Sequence, residues 1–313
     1  MNAPAARAGI QKGDLLVELD GQSTQGWTFE TISNHLMGPV GTSVTVVVRR
    51  AGQERIKTFS IRRNTIRLSS VRGLDPSKNS IWLDQESGIG YIRISKFAED
   101  TVAGFRTKFS QLKNRGMRAL AIDLRSNFGG LLSAAVKIAD KFVDSGLIVR
   151  SVGRGGKEEK WMAHKGEQLD MPIAVLINED TASASEVFTA CLQDHHRAQI
   201  VGSRSYGKGS IQQLFDVGKD GAMVKLTTAL YYPPSGRNID KSNKPEGSDE
   251  WGILPDSGLE VKLGQAENEA WLTKFFAMDD NVGTDTDMPP YDVSADKVLL
   301  AARDALKKTL GLP

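Results

Sequence analysis

The chain has 313 residues, of which 40% are apolar and 25% charged, a composition typical of a globular protein with room for two compact domains. Its 40 basic and 38 acidic residues give a net charge of +2 without a long basic run, so no nucleic-acid partner is expected. A single cysteine excludes an intrachain disulfide, and the histidines lack HExxH spacing, so neither a metal nor a cofactor is expected. No apolar run is long enough to predict a membrane-spanning segment.

The first part of the chain, residues 1–63, has the pattern of a small α/β module. Turn and capping residues separate its apolar segments: Gly9 closes a short helix, Asp20-Gly21 is a hairpin signal, and Thr28 begins a helix. The predicted elements are, in chain order, a helix at 4–8, a strand at 15–19, a helix at 28–36, and strands at 44–49 and 56–61.

The stretch Ala3-Pro4-Ala5-Ala6-Arg7-Ala8-Gly9-Ile10-Gln11-Lys12-Gly13-Asp14, followed by Asp20-Gly21, resembles the rear part of PDZ domains of bacterial proteases. In that family a carboxylate-binding loop and its strand come before this stretch. The chain has no residues there, so the resemblance implies an N-terminally incomplete PDZ-like domain. It also implies that the helix at 28–36 forms one wall of a peptide groove; the alternative is that this helix only closes the core of the module.

Residues 64–88 read as a connecting stretch; beyond it, strands alternate with helices, which predicts an α/β core with buried parallel strands. Strands are predicted at 89–94, 119–124, 173–177 and 199–202, with helices at 101–114, 131–143 and 182–194 between them. Residues 210–232 read as a hairpin that turns at Lys219-Asp220-Gly221. Residues 233–256 read as an exposed loop, and helices at 265–277 and 294–309 flank an acidic linker.

The first chemically informative segment is Asn178–Glu186, which follows a buried strand and opens a helix. A nucleophile at such a turn is exposed, and free N–H groups of the helix start can hold an oxyanion. Thr181, Ser183 and Ser185 are the candidates, and each of these hydroxyls could equally be only a helix cap.

A second segment, Tyr206–Gln212, places Lys208 between two glycines. Glycines allow close backbone approach, and a lysine held in such a site would be desolvated, which lowers a lysine pKa towards neutrality. Lys208 could then act as a general base without a histidine. The alternative is an exposed loop lysine.

The third segment, Asp123–Gly130, is a strand end followed by a glycine-rich turn, whose N–H groups could supply the other half of an oxyanion hole. A phosphate cradle is the rival reading, although neither GxGxxG nor GxxxxGK[ST] is present.

A Ser–His–Asp triad is the competing enzyme mechanism. His195 and His196 sit about three turns from the helix start and cannot reach Ser183 along that helix, whereas His164 stays open. Cys191 reads as a buried packing residue.

Together, and in this order, the three segments resemble the tail-specific, carboxyl-terminal-processing serine protease family. The resemblance implies Ser183 as nucleophile, Lys208 as general base and Gln212 as the residue that orients the amine. It further implies an oxyanion hole formed by the N–H groups of Ala184 and Gly129, with Gly130 as the next choice. Phe128 and Tyr206 stand where the family has proline and phenylalanine, and both should preserve the local shape.

The resemblance therefore implies an α/β fold with a truncated PDZ-like module (1–63), a crotonase/ClpP-like protease core (64–262) and a C-terminal helical extension (263–313). The expected function is a serine endopeptidase that cleaves near the C-termini of unstructured proteins in the periplasm or cell envelope, although the first residues carry no signal peptide. Homo-oligomerisation is left open. A catalytically silent PDZ peptide-binding scaffold and an acyl- or lipid-binding protein on a crotonase-like core are the alternatives.

Overall fold

The structure is a computed structural model that describes residues 4–11, 13–50, 55–65, 69–74, 80–165, 169–218, 221–245, 247–280 and 292–313. The chain forms two compact units, one of residues 1–68 and 272–289 and one of residues 69–271 and 290–313. The predicted domain boundaries at residues 63 and 262 stay predictions. The predicted hairpin turn at Lys219-Asp220 and most of the predicted acidic linker, residues 281–290, lie outside the described residues.

The first unit contains a four-stranded antiparallel sheet in the order β2-β1-β3-β4. Its elements are α1 (Pro4–Ala8), β1 (Leu15–Leu19), β2 (Gln22–Ser23), α2 (Phe29–Leu36), β3 (Ser43–Arg49) and β4 (Ile56–Arg62). The tight turn between β1 and β2 uses positive φ angles at Asp20 and Gly21, as the Asp-Gly pair predicted.

The core of this unit is small, and its central members are Leu19, Val44, Val46, Val48 and Ile61. Thr28 caps α2, since its Oγ1 accepts a hydrogen bond from the N–H of Thr31 (3.2 Å). Ile32 of α2 packs against the core, whereas Phe29 is 87% exposed. Helix α2 therefore does close the core, but through part of its apolar surface only.

The second unit is built on a six-stranded sheet in the order β12-β11-β8-β7-β5, with β6 paired to β7. Strands β7 (Ile89–Ile94), β8 (Ala119–Asp123), β11 (Ile173–Ile177) and β12 (Gln199–Gly202) are parallel, and the short β5 (Val71–Arg72) and β6 (Trp82–Asp84) are antiparallel to β7. The parallel strands confirm the predicted α/β core, and their residues are nearly all buried.

Helices cover both faces of this sheet because its side chains alternate. Leu120 and Ile122 of β8 face a cluster that includes α3 (Thr101–Asn114), α4 (Leu132–Ala139) and α5 (Ala184–Asp194). Ala119 and Ala121 face the opposite side, where Leu299 of α7 (Lys297–Thr309) packs. Helix α6 (Gln265–Asp280) precedes α7. The last helix of the chain is thus a layer of the core of this unit.

A second, antiparallel sheet has the order β10-β9-β14-β13. It consists of β9 (Leu147–Gly153), β10 (Glu158–Met162), β13 (Ser210–Asp216) and β14 (Met223–Tyr232). The hairpin of β13 and β14 confirms its prediction, whereas β9 and β10 were not predicted. In the described part of the chain, no helix is both long enough and apolar enough to cross a membrane.

Candidate active site

The junction between β11 and α5 holds the three hydroxyl candidates, and their accessibility separates them. Ser185 is fully buried, and its Oγ has no hydrogen-bond partner among the described residues. Thr181 is also fully buried, and its hydroxyl donates to the carbonyl oxygen of Leu124 (2.9 Å). Ser183 is only half-buried. Of the three, Ser183 is the hydroxyl that a substrate could reach.

Ser183 also has an unusual backbone conformation, with φ 58° and ψ −119°. Residues other than glycine rarely adopt positive φ, and such conformations persist only where the surrounding structure enforces them. The turn lies immediately before α5, so the Ala184 N–H is the first of the helix. A sharp strand-to-helix turn of this kind exposes the nucleophile of α/β-hydrolases.

The carboxylate of Glu186 connects this turn to the segment that carries Lys208. Its Oε2 accepts hydrogen bonds from the backbone N–H groups of Ser183 (2.9 Å) and Lys208 (2.8 Å). Its Oε1 accepts from the Gly207 N–H (2.7 Å) and the Ser205 hydroxyl (2.5 Å). One buried side chain therefore fixes the main chain of the predicted nucleophile relative to that of the predicted base.

Burial raises the pKa of the Glu186 carboxyl above its ordinary value, because the ionised form loses its hydration; the hydrogen bonds from Ser205 and from the three backbone N–H groups act in the opposite direction. Sequence reasoning named Glu186 only as the end of a motif. Its signal was nevertheless present, since Ser183-x-x-Glu186 is the pattern of a capping box, in which the glutamate binds the backbone N–H of the cap residue.

The two glycines beside Lys208 are required by close packing. A Cβ on Gly207 would lie 2.9 Å from the Trp251 ring, and a Cβ on Gly209 would lie 2.9 Å from the backbone nitrogen of Asp240. Gly207 also has φ +84°, which disfavours any other residue. Lys208 itself is half-buried. The lysine is therefore held on a tightly packed segment rather than on a free loop.

The glycine-rich turn after β8 lies directly against Ser183, the predicted nucleophile. A Cβ on Gly129 would lie 2.9 Å from the Cβ of Ser183 and 3.0 Å from the nitrogen of Ala184. Asn127 ties the two segments together, since its carbonyl oxygen accepts from the Ala182 N–H (3.0 Å) and its Oδ1 accepts from the Gly129 N–H (2.9 Å). The Gly129 N–H is thus already engaged, and holding an oxyanion would require it to share or release this bond.

Beneath the turn lies a buried ion network. Arg125 is hydrogen-bonded to Asp123 (2.6 Å) and, through Nη1, to both carboxylate oxygens of Asp296 (2.9 Å each). Its guanidinium lies 4.6 Å from the ring centroid of Trp271, and Tyr91 donates a hydrogen bond to Asp123 (2.8 Å). Asp296 also caps α7. The strand end that leads to Gly129 is therefore held by the C-terminal part of the chain.

Not every predicted contact is present. In the described part of the chain, no hydrogen bond joins the side chains of Ser183 and Lys208, and none joins Gln212 to Lys208. Gln212 is exposed on β13. The structure thus brings the main chains of Ser183, Lys208, Ala184 and Gly129 together, without a hydrogen bond among the Ser183, Lys208 and Gln212 side chains.

The structure gives the histidines no contact with Ser183 among the hydrogen bonds of the described residues. His195 and His196 lie at the C-terminal end of α5, where a ring nitrogen of His195 is 2.8 Å from the carbonyl oxygen of Leu147. His164 is exposed beside Asp140 (3.3 Å). Cys191 is buried in α5, and burial raises the pKa of its thiol to about 12, which agrees with a packing role. Among the described residues, no group of three or more acidic, histidine or cysteine side chains could hold a metal ion.

Two family models match the chain. Peptidase family S41 matches residues 88–258, more than half of the chain, and the PDZ domain matches residues 2–50. The S41 match includes Ser183, Lys208 and the glycine-rich turn. The PDZ match covers the greater part of the first unit up to β3.

Curated relatives agree with these matches. The carboxy-terminal-processing protease of Bartonella bacilliformis is 34% identical over 283 residues, covering 85% of this chain and 61% of that protein. The carboxyl-terminal-processing protease of Synechocystis sp. is 36% identical over 262 residues, covering 83% of this chain and 58% of that protein. The chain thus spans about three-fifths of the length of these relatives.

The solved structure of a photosystem II D1 C-terminal processing protease is similar, with a TM-score of 0.51 and 30% identity, covering 84% of this chain and 66% of that one. With the S41 match over most of the second unit, these similarities show that the chain belongs to peptidase family S41, together with proteins known as carboxyl-terminal-processing proteases.

Proposed function

We propose that the chain is a serine endopeptidase in which Ser183 is the nucleophile and Lys208 the general base. The observation that carries this proposal is the Glu186 carboxylate, one oxygen of which binds the backbone N–H groups of both residues. A glutamate that only capped α5 would need to bind the Ser183 N–H and no other segment. A carboxylate that also binds the Lys208 segment holds the backbone of both residues at one point, which supports a Ser–Lys pair.

The reaction follows from these groups. Lys208, as the general base, accepts the proton of the Ser183 hydroxyl while Oγ attacks the carbonyl carbon of the peptide bond. The carbon–nitrogen bond then breaks, Lys208 returns the proton to the leaving amine, and an acyl-enzyme ester remains. Water then attacks the ester carbonyl while Lys208 accepts one of its protons; the bond between the acyl carbon and Oγ breaks, Lys208 returns the proton to Oγ, and the acid is released with Ser183 restored. The side chains need to approach one another in the substrate complex, where catalytic hydrogen bonds commonly tighten.

The remaining predicted residues have roles around this pair. The N–H of Ala184 is the first of α5 and would supply one donor to an oxyanion, and Gly129 would supply the second once its bond to Asn127 is shared. Gln212 orients the Lys208 amine after the side chains have closed. These assignments rest on the family resemblance and on the contact between Gly129 and Ala184.

The substrates that we propose are unstructured polypeptide C-termini, presented by the PDZ-like unit. The relatives named for carboxyl-terminal processing and the PDZ match support this class. A location in the periplasm or cell envelope is part of the same proposal.

The alternative is a scaffold that binds peptides without cleaving them. The observation that favours it is the missing hydrogen bond between the Ser183 and Lys208 side chains. It predicts that peptides bind equally well to the wild type and to Ser183→Ala, and that neither protein cuts them.

The test is digestion of an unfolded, carboxymethylated protein by the wild type, Ser183→Ala, Lys208→Ala and the matched control Ser185→Ala, with fragments identified by mass spectrometry. Cleavage by the wild type and Ser185→Ala alone supports the pair, provided that circular dichroism shows all variants folded. Cleavage by Ser183→Ala at the wild-type rate would exclude Ser183 as the nucleophile. Absence of cleavage by every protein, with retained peptide binding, would favour the scaffold.

A further inference from the structure

The hairpin of β13 and β14 exposes apolar side chains on both of its faces. Phe215 and Val224 lie directly opposite one another on one face, and Leu226 is their neighbour. Leu214 and Met223 lie on the other face. Leu214 is 61% exposed, Phe215 is 42% exposed, and the other three are exposed as well. Contiguous apolar surface of this kind marks a binding site more often than it marks free protein surface.

The free edge of this hairpin begins at the active site. Strand β13 is the edge strand of its sheet, and it starts at Ser210, two positions after Lys208. Gln212, the residue proposed to orient the lysine, is on the same strand. A polypeptide lying along this edge would therefore run directly past the lysine.

The register shows which backbone groups face outward. The Val217 N–H donates to the carbonyl oxygen of Ala222 (3.0 Å). Because hydrogen-bonded pairs alternate along an antiparallel ladder, the next such pairs are Phe215 with Val224 and Gln213 with Leu226. The N–H and carbonyl groups of Gln212, Leu214 and Asp216 lie between those pairs and point away from β14. They form a row of donors and acceptors to which an added strand can bond.

From this geometry we infer that β13 is the strand on which substrate binds, as an extended chain that adds a fifth strand to the sheet β10-β9-β14-β13. An added strand explains why both faces are apolar, because its alternate side chains would contact Phe215 on one face and Leu214 on the other. A protein packed on a single face would leave the opposite face exposed. This inference rests on the proposed protease function, since it identifies how the substrate of that site is held.

The direction of the added strand follows from ladder stability. Antiparallel pairs are slightly more stable per residue than parallel ones, so the substrate runs antiparallel to β13. The residues on the amino-terminal side of the cleaved bond then lie along Gln212 to Asp216, and the carboxyl-terminal tail lies beyond Lys208. Recognition uses mainly backbone groups and apolar contacts, so the substrate class is any unfolded segment with alternating apolar residues.

The test compares Leu214→Pro with Leu214→Ala. Both remove the leucine side chain, but only proline removes the outward-facing N–H, and proline is tolerated at edge positions that donate no ladder hydrogen bond. The binding probe is fluorescein-labelled oxidised insulin B chain, titrated by anisotropy in a Ser183→Ala background so that no cleavage occurs. We expect Leu214→Pro to weaken binding roughly fivefold or more relative to Leu214→Ala, the loss of one backbone hydrogen bond. Equal affinities of the two variants would overturn the inference.

A second measurement uses synthetic peptides methylated at one backbone nitrogen at a time. The inference predicts that alternate positions are sensitive, all on the amino-terminal side of the cleaved bond. Sensitivity at successive positions, or only on the carboxyl-terminal side, would contradict it. If light scattering found the wild type to be a dimer and Leu214→Pro a monomer, β13 would instead pair with a second copy of the chain, and the inference would be overturned. The comparison of Leu214→Pro with Leu214→Ala is made without cleavage, so a failure of the proposed catalytic pair would leave that test intact.

Discussion

Arg125 and Asp296 lie 171 positions apart in the chain, yet two hydrogen bonds of 2.9 Å join the guanidinium of one to the carboxylate of the other. Both side chains are about 2% exposed. Arg125 follows β8 and leads into the glycine-rich turn against Ser183, whereas Asp296 caps α7. The structural support of the proposed oxyanion turn is therefore located at the other end of the sequence.

Replacing Asp296 with alanine should lower the free energy of unfolding by about 3–5 kcal/mol, because it leaves the buried Arg125 charge without this partner. Asp304→Ala in the same helix is the control, since its ion pair with Arg303 is on the surface and should contribute about 0–1 kcal/mol. Urea unfolding followed by circular dichroism measures both. A loss for Asp296→Ala as small as that for Asp304→Ala would contradict the role of the network.

Glu186→Gln should reduce kcat by roughly tenfold to a hundredfold while the protein stays folded. A neutral amide can keep only part of the set of four donors, so the Ser183 and Lys208 segments would shift relative to each other, and small misplacements of catalytic groups have effects of this size. Glu179→Gln is the matched control, because Glu179 is exposed and accepts from Ser203 and Asn268. Steady-state kinetics on a fluorogenic peptide would detect the change. A reduced kcat in both variants would point to a general disturbance of the loop.

Gly129→Ala should abolish cleavage, because the new Cβ would lie 2.7 Å from the Ala182 carbonyl oxygen and 2.9 Å from the Ser183 Cβ. Gly116→Ala is the control: it has a similar positive φ of +84° but no atom within 4 Å of the new Cβ. Both variants carry the backbone strain of alanine at positive φ, so a difference in activity between them measures the contact with the nucleophile. Equal activities would show that this contact is unimportant.

The Asp14–Arg50 pair predicts a pH dependence in the PDZ-like unit. The hydrogen bond from the Arg50 guanidinium (2.7 Å) lowers the pKa of the Asp14 carboxyl from 3.8 to about 2. Because this pKa is lowered on folding, the pair stabilises the unit above pH 3.8, and this contribution is lost as the pH falls through about 2.

Asp14→Asn should therefore increase hydrogen exchange in residues 13–50 at pH 5, and the difference from the wild type should disappear near pH 2. Glu30→Gln, on exposed α2, serves as the control. A difference that persisted unchanged to pH 2 would exclude ionisation of Asp14 as its cause.

Cys191 should be inert in the native protein. Its thiol is buried and its pKa is raised to about 12, so almost no thiolate forms at pH 8. Mass spectrometry after iodoacetamide treatment should find it unmodified, and modified once the chain is unfolded in guanidinium. Rapid alkylation of the folded protein would show that α5 opens readily.

Helices and strands whose own residues show a clear apolar pattern could be predicted from the sequence. The apolar run at Ile173–Ile177 and the polar turn after it predicted the junction on which Ser183 lies, and the structure has that strand with the same bounds. Strand β10 was missed because Glu-Glu-Lys-Trp-Met has little strand character, and its strand conformation depends on pairing with β9.

The contacts of the site between segments that are distant in the chain could not be predicted from the sequence around them. Nothing near Asp296 in the sequence indicates that it binds Arg125, since only the packing of α7 on the sheet brings the two together. The capping pattern of Glu186 was visible in the sequence. Its hydrogen bond to the Lys208 N–H could not be predicted, because that contact depends on where the fold places Lys208. Contacts between segments distant in sequence are decided by tertiary packing and not by propensity.

The position of α7 has a consequence for synthesis on the ribosome. Ala119, Ala121 and Leu176 stay uncovered on one face of the sheet until residues 297–309 have emerged, and Arg125 has no Asp296 until the same moment. The strands and the nucleophile turn are by then already outside the exit tunnel. A nascent chain therefore holds an unbraced turn at Gly129 until residues 297–309 have been synthesised and have packed on the sheet.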